Sequence, residues 1–69
     1  MKLSARNVLK GTVKKVAPGA VNSEVVIELA GGDQITAIIT KTSATSLKLK
    51  KGQTAYAVIK ANDVIVGTD

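Results

Sequence analysis

The stretch SEVVIELAGGDQITAIIT, residues 23–40, contains two runs of alternating apolar and polar residues on either side of a glycine pair. Alternate positions on one side of each run are apolar: Val25, Ile27, Leu29 and Ile35, Ala37, Ile39. A period of two is typical of half-buried antiparallel strands, and Gly-Gly suits a primed hairpin turn because it adopts positive φ at no steric cost. We therefore predict a hairpin with strands at Ser23–Ala30 and Asp33–Lys41.

The opposite side of this hairpin also carries apolar side chains. Val26 and Ile38 form a second apolar row there. That row predicts that both sides of the sheet are partly covered.

The rest of the chain is divided by glycine and proline into short segments rich in Val, Ile and Thr. The pattern predicts a strand with a bend or bulge at Gly11, a turn, one or two helical turns capped by Thr42 or Ser43, and two strands around a tight turn. These segments are, in order, Asn7–Val16, Val16–Ala20, Thr42–Leu49, Ala55–Lys60 and Val64–Val66, with the tight turn at Ala61–Asp63. Five strands with a helical turn between the third and fourth predict an all-β fold, a five-stranded OB-like barrel spanning residues 1–69 as a single domain. An SH3-like barrel is the alternative.

The size and composition of the chain predict self-association. A chain of 69 residues has a small core, worth only about 3–5 kcal/mol on its own. It has no Cys and no His, so disulfides and almost every zinc site are excluded, and no metal ligand set is predicted. Since the core must be built from Val, Ile, Leu and Ala around one Tyr, we expect a second subunit to extend it.

The formal net charge of +5 favours anionic partners. After Lys2 and Leu3 the polar residues Ser4, Arg6 and Asn7 interrupt any apolar run of the kind a secretory leader needs. No stretch approaches the roughly 18 apolar residues of a membrane span. The expectation is a soluble, cytoplasmic protein without a membrane partner.

The side chains needed for catalysis are scarce. No His, no Cys and no paired acids are present to act as a general base or nucleophile, so the sequence predicts a protein that is not an enzyme. A nucleic-acid-binding OB module is the alternative function, using a basic cluster of Lys48, Lys50 and Lys51. Single-strand binders gain roughly 1–3 kcal/mol per base by stacking on aromatic rings, and here Tyr56 is the one aromatic residue, so nucleic acid is the weaker hypothesis.

The segment SARNVLKG, residues 4–11, closely resembles the SARNQLKG signature that opens the molbindin, or Mop, family of small molybdate-binding proteins. The resemblance continues through VNSEVVIELAGGDQITAIIT (21–40) and LKLKKGQTAYAVIKANDVIVG (47–67), so it covers essentially the whole chain. It implies an OB-like barrel that assembles as a trimer of dimers. It further implies that molybdate, or tungstate as a close substitute, is held at subunit interfaces for storage or homeostasis.

The resemblance also implies a set of binding residues. Ser4, Ala5 and Arg6 would hold the oxyanion from one subunit, while Lys60 and the backbone at Ala61 would close the site. A second oxyanion site would lie at a turn formed by Gly19, Ala20, Val21 and Asn22.

Two positions depart from the family pattern. Val8 replaces the common Gln, and Ala61 stands where some relatives have Ser, so a hydroxyl donor is lost there. Composition alone would leave Arg6 and Lys60 as solvated surface cations. The residue types nevertheless suit an anion, because Arg and Lys are donors only and a tetrahedral oxyanion accepts only.

Overall fold

The computed structural model describes residues 2–69 as one curled antiparallel sheet with a short helix. The elements are β1 (Asn7–Pro18), β2 (Asn22–Leu29), β3 (Gln34–Thr40), α1 (Lys41–Ser46), β4 (Thr54–Ile59) and a 3₁₀ turn (Ala61–Asp63). The bounds of the first four predicted strands lie within two residues of these. The all-β prediction is confirmed, with four strands instead of five.

The sheet has the order β3-β2-β1-β4, and the long β1 is its centre. The first half of β1 pairs with β4 and the second half with β2, and Gly11 and Thr12 pair with both neighbours. One strand therefore belongs to both halves of the sheet, which curls into a half-barrel whose edges are β3 and β4.

The core lies on the concave side of this half-barrel. Val13, Val25, Ile27 and Ala57 form one buried cluster, and Val13 is completely inaccessible. Half-buried side chains surround the cluster: Val16, Leu29, Ile35, Ile39, Leu49 and Ala55. The apolar face predicted for the hairpin therefore faces the core.

The predicted fifth strand at Val64–Val66 is wrong. These residues follow the 3₁₀ turn in no regular structure, and Ile65 and Val66 are 95% and 85% exposed. A strand needs a neighbour for its backbone groups, and no described segment of this chain pairs with these residues. Their period-two apolar pattern is real, but nothing within residues 2–69 covers it.

The prediction of a covered outer face is also wrong within this chain. Ile38 on β3 is 62% exposed, and Val26 on β2, which pairs with Thr36, is half-buried. Within residues 2–69, one layer of sheet and one short helix leave no second element to lie on that side.

The predicted bulge at Gly11 lies further along β1. The register shifts between Val13 and Lys15, which leaves Lys14 as the extra residue. Gly11 has a different role: a Cβ there would lie 2.5 Å from the carbonyl oxygen of Glu28 and 2.6 Å from Cγ2 of Ile27. Glycine at position 11 permits the close approach of β1 and β2.

The hairpin between β2 and β3 turns at the predicted glycine pair, but through three residues. Gly32 donates to the Leu29 carbonyl over 2.9 Å, and Leu29 donates to the Asp33 carbonyl over 2.7 Å. Only the second glycine of the pair has positive φ, +94° at Gly32. This is a turn followed by a left-handed residue, in place of the two-residue primed turn predicted.

The helix begins earlier than predicted and is capped by a different residue. The Thr40 hydroxyl accepts a hydrogen bond of 3.0 Å from the Ser43 amide, so Thr40 is the N-cap of α1 instead of Thr42 or Ser43. Helix α1 contains Lys41–Ser46 and ends before Lys48, whose φ is +53°. Only Ala44 of the helix is buried, so α1 is held by one apolar contact and its cap.

Candidate functional site

The pairing of β1 with β4 brings two distant parts of the chain together. Asn7, the first residue of β1, lies opposite Ile59, the last residue of β4. The Asn7 side-chain amide also donates to the Ile59 carbonyl over 3.3 Å. The segment that precedes β1 therefore meets the segment that follows β4.

These two segments line one surface cavity of about 370 Å³. Its lining residues are Ser4, Ala5, Arg6, Lys60, Ala61 and Asn62. All five residues predicted for the main site thus lie around a single cavity, although 54 positions separate Arg6 from Lys60 in the chain. Asn62 was not predicted, and its place in the turn directly after Lys60 is the signal that would have included it.

The cavity is positively charged and open to solvent. Arg6 and Lys60 carry the charge, and none of the lining residues is acidic. Within residues 2–69 the ion pairs are Lys14 with Glu28 and Lys15 with Glu24, so neither cation of the cavity is neutralised by a carboxylate. Apart from Ala5, which is half-buried, every lining residue is exposed.

Backbone groups add donors at the Lys60 side of the cavity. The 3₁₀ turn begins after Lys60, and no side chain caps it. Asp63 donates to the Lys60 carbonyl over 3.0 Å, whereas the first amides of a helical turn have no partner within the turn. The lining residues Ala61 and Asn62 occupy those first positions.

Only two of the four residues predicted for the second site line a common cavity. Ala20 and Val21 line a cavity of about 520 Å³, while Gly19 and Asn22 close the turn behind it through a 2.7 Å bond from the Gly19 amide to the Asn22 carbonyl. The other lining residues, which the sequence did not indicate, come from α1: Lys41, Thr42, Thr45 and Ser46. They reach the turn because Asn22 pairs with Thr40, directly before the helix.

Other chemistry has little support in the part of the chain that is described. Residues 2–69 contain no cluster of three or more His, Cys, Asp or Glu side chains that could hold a metal ion. No helix in this part is long and apolar enough to cross a membrane. The aromatic Tyr56 lines an apolar cavity between β3 and β4, and none of the basic residues Lys48, Lys50 and Lys51 lines that cavity.

Comparison with known proteins agrees with this architecture. The sequence model of the TOBE domain family matches residues 3–66 of this chain. The chain belongs to the TOBE domain family. This TOBE domain is 50% identical over 66 residues to the molybdenum-pterin-binding protein 3 of Clostridium pasteurianum. The aligned residues make up 96% of this chain and 97% of that relative.

Solved structures give the same assignment. The TOBE domain superposes on MopII from Clostridium pasteurianum with a TM-score of 0.92 and 45% identity, covering 97% of this chain and all of that one. It superposes on the cytoplasmic molybdate-binding protein ModG, solved with molybdate bound, with a TM-score of 0.96 and 52% identity. The match to ModG covers the whole of this chain and 49% of that one. The molbindin resemblance and the OB-like fold class predicted from the sequence are thereby confirmed.

Proposed function

We propose that this protein binds molybdate in the cavity formed by Ser4, Ala5 and Arg6 with Lys60 and Ala61. The observation that carries the proposal is the convergence of these two segments on one cavity with two cations and no carboxylate. Binding of molybdate by the similar ModG supports the choice of ligand.

The donor set suits a tetrahedral dianion. Molybdate presents four oxygens that only accept hydrogen bonds, so each group facing it must donate. Arg6 supplies a rigid fork of N–H groups and Lys60 a compact charge, while the Ser4 hydroxyl and the amide of Ala61 donate without charge. Tungstate has the same shape and charge, and we expect it to bind in the same way.

The site is incomplete in one subunit, and we propose that a second subunit closes it. Arg6, Lys60 and Ser4 are all exposed, so an anion held by them alone would still face water over much of its surface. The strongest oxyanion sites in proteins exclude water, because charge-assisted hydrogen bonds gain from a low local dielectric. Subunit contact would provide that exclusion.

Exposed apolar surface supports the same assembly. The segment Val64–Val66 is uncovered, and an apolar cavity of about 350 Å³ lies open between the edge strands β3 and β4. A partner's Val64–Val66 segment could pair there and complete the five-stranded barrel predicted from the sequence. We propose a homo-oligomer, a hexamer built as a trimer of dimers, with residues 1–69 of each subunit acting as one domain.

The turn at Gly19–Asn22 is proposed as the second oxyanion site, with Lys41 supplying the charge that the turn lacks. The cellular role that fits an oxyanion-binding oligomer without catalytic side chains is storage or homeostasis of molybdenum, not catalysis. The description of ModG as cytoplasmic supports a cytoplasmic location. The chain has a single aromatic residue, so it lacks the set of rings on which successive bases of a single-stranded nucleic acid would stack.

Calorimetric titration of molybdate into wild type and Arg6→Ala tests the main site. We expect affinity to fall at least about tenfold in Arg6→Ala, since a hydrogen bond to a charged group is worth about 1.5–3 kcal/mol. Lys51→Ala is the matched control: it removes one positive charge from an exposed turn that lines none of these cavities, and its affinity should stay close to that of the wild type. Equal affinity in wild type and Arg6→Ala would contradict the proposal.

A further inference from the structure

The ladder between β1 and β4 ends where the cationic cavity begins. Its last pair is Asn7 with Ile59. Continuing the same register by one residue places Arg6 opposite Lys60, and Lys60 keeps an extended backbone with φ of −63° and ψ of 139°. The two cations of the cavity are therefore neighbours across the strand ends, at the first position that the ladder does not include.

The hydrogen-bond pattern of this ladder shows how close the two cations come. One residue past its other end, Val13 donates to the carbonyl of Gln53, which lies opposite it in the register, over 2.8 Å. Hydrogen-bonded and non-hydrogen-bonded pairs alternate along antiparallel strands, and side chains lie closer at the non-hydrogen-bonded pairs. Counting back from Val13, the last pair of the ladder is hydrogen-bonded. The position of Arg6 and Lys60 is a non-hydrogen-bonded one, where side chains are near and no backbone bond joins the strands.

Like charges at this position weaken the end of the ladder. Opposite residues on neighbouring strands that carry the same charge repel each other. The ion pairs within residues 2–69 include neither Arg6 nor Lys60, so no carboxylate relieves the repulsion there. The two side chains proposed to hold the anion therefore also separate the ends of β1 and β4 as long as no anion lies between them.

The side chain of Asn7 opposes this separation. Its amide nitrogen Nδ2 donates to the Ile59 carbonyl over 3.3 Å, and the bond is partly buried. Among the side-chain hydrogen bonds found in residues 2–69, it is the one that joins β1 to β4. It acts at the last pair of the ladder, directly beside the two cations.

We propose that Asn7 is a positioning residue for the oxyanion site. Its side-chain amide holds the end of β4 to β1 against the repulsion between Arg6 and Lys60, so both cations face the cavity before the anion arrives. The inference rests on the proposed molybdate site, which gives Arg6 and Lys60 their role. A site that is formed in advance binds more tightly, because the ligand does not have to order it.

Amide hydrogen exchange in protein without any oxyanion tests the structural half of the proposal. The Ile59 amide belongs to the last hydrogen-bonded pair, so its protection reports how often this end of the ladder opens. We expect Asn7→Leu, which keeps the size of the side chain and removes its donor, to lower that protection about threefold to tenfold. Asn7→Ala also lacks the donor and should have the same effect. Adding Lys60→Met to either variant should raise the protection about twofold, because it removes the repulsion.

Thr12→Val is the matched control for Asn7→Leu. Thr12 pairs with Thr54 at the opposite end of the same ladder. The substitution likewise replaces a polar side chain by an apolar one of similar size. Because it lies far from the last pair, it should leave the protection of the Ile59 amide at the wild-type value.

Calorimetric titration of molybdate tests the functional half. We expect Asn7→Leu to bind molybdate at least about threefold more weakly than wild type, since part of the binding free energy must then order the strand ends. Thr12→Val should bind as the wild type does.

Three results would each overturn the inference. The first is wild-type protection of the Ile59 amide in both Asn7 variants, the second is no response of that protection to Lys60→Met, and the third is equal molybdate affinity in Asn7→Leu and wild type. Failure of the proposed function has a different signature, namely wild type and Arg6→Ala binding molybdate alike. The exchange measurement needs no ligand and would still decide the role of Asn7.

Discussion

At the scale of single residues, Asn7 links the fold to the candidate site. Its amide bond to the Ile59 carbonyl lies where β1 begins and β4 ends, directly beside Arg6 and Lys60. The charged residues therefore do not need long loops to meet. The register of β1 against β4 places Arg6 beside Lys60. The hydrogen bond from the Asn7 side chain stabilises the last pair of that register.

Gly11 lies where β1 and β2 approach too closely for a side chain on β1. We expect Gly11→Ala to destabilise the protein by about 2 kcal/mol or more, because the added Cβ would overlap the backbone of β2 and force the strands apart. Urea denaturation followed by circular dichroism measures this. Gly31→Ala is the control, since its Cβ would have nothing within 4 Å, and a loss of stability equal to that of Gly11→Ala would disprove the packing argument.

Ala61 is where the chain lacks a hydroxyl that some relatives supply. We expect Ala61→Ser to tighten molybdate binding by a few-fold, since an added neutral donor is worth about 0.5–1.5 kcal/mol. Calorimetry against wild type measures the gain. Ala5→Ser, on the opposite wall but half-buried, tests whether any added hydroxyl acts alike; an equal gain in both variants would contradict a specific role for position 61.

At the scale of elements, α1 depends on its cap. The helix has six residues and one buried side chain, which is too short to be stable on propensity alone. Its Lys41 side chain lines two cavities beside β2, one of which is the proposed second oxyanion site.

We therefore expect Thr40→Ala to cost about 1 kcal/mol of stability, because it removes the oxygen that accepts from the Ser43 amide. Thr40→Ser keeps that oxygen and should restore most of the loss. Chemical denaturation measures both variants. If Thr40→Ser were as unstable as Thr40→Ala, the effect would come from the lost methyl group and not from the cap.

At the scale of the whole molecule, a single chain leaves uncovered the surfaces that the proposed assembly would bury. Its barrel lacks a strand, its Ile65 and Val66 are uncovered, and its cationic cavity is open. Like charges gathered at a subunit interface repel until an anion joins them, so oxyanion binding and assembly should support each other.

Native mass spectrometry tests the assembly. We expect wild type to be hexameric and Ile65→Asp to dissociate into smaller species, because a carboxylate would replace an apolar side chain in the proposed contact. Ile65 is 95% exposed in one subunit, so the fold of the subunit itself should survive. Thr68→Asp adds the same charge three residues later and should remain hexameric; an intact Ile65→Asp hexamer would exclude this contact.

Local patterns in the chain were sufficient to predict four strands, but not the candidate site. Alternation at Val25, Ile27 and Leu29 depends only on which side of an extended chain each residue occupies, so the buried face could be predicted without coordinates. The placement of Ser4, Ala5 and Arg6 with Lys60 and Ala61 came from a family resemblance, and the register of β1 against β4 supplies its physical basis.

Features that depend on distant partners could not be obtained this way. Val64–Val66 has the pattern of a strand, but a strand exists only where another backbone pairs with it, and no described part of this chain does so. The bulge at Lys14 and the unpaired hydroxyl of Ser23 likewise arise from which segments come into contact. Side-chain alternation is a local property of sequence, whereas strand pairing and the satisfaction of a buried group are properties of neighbours that only folding brings together.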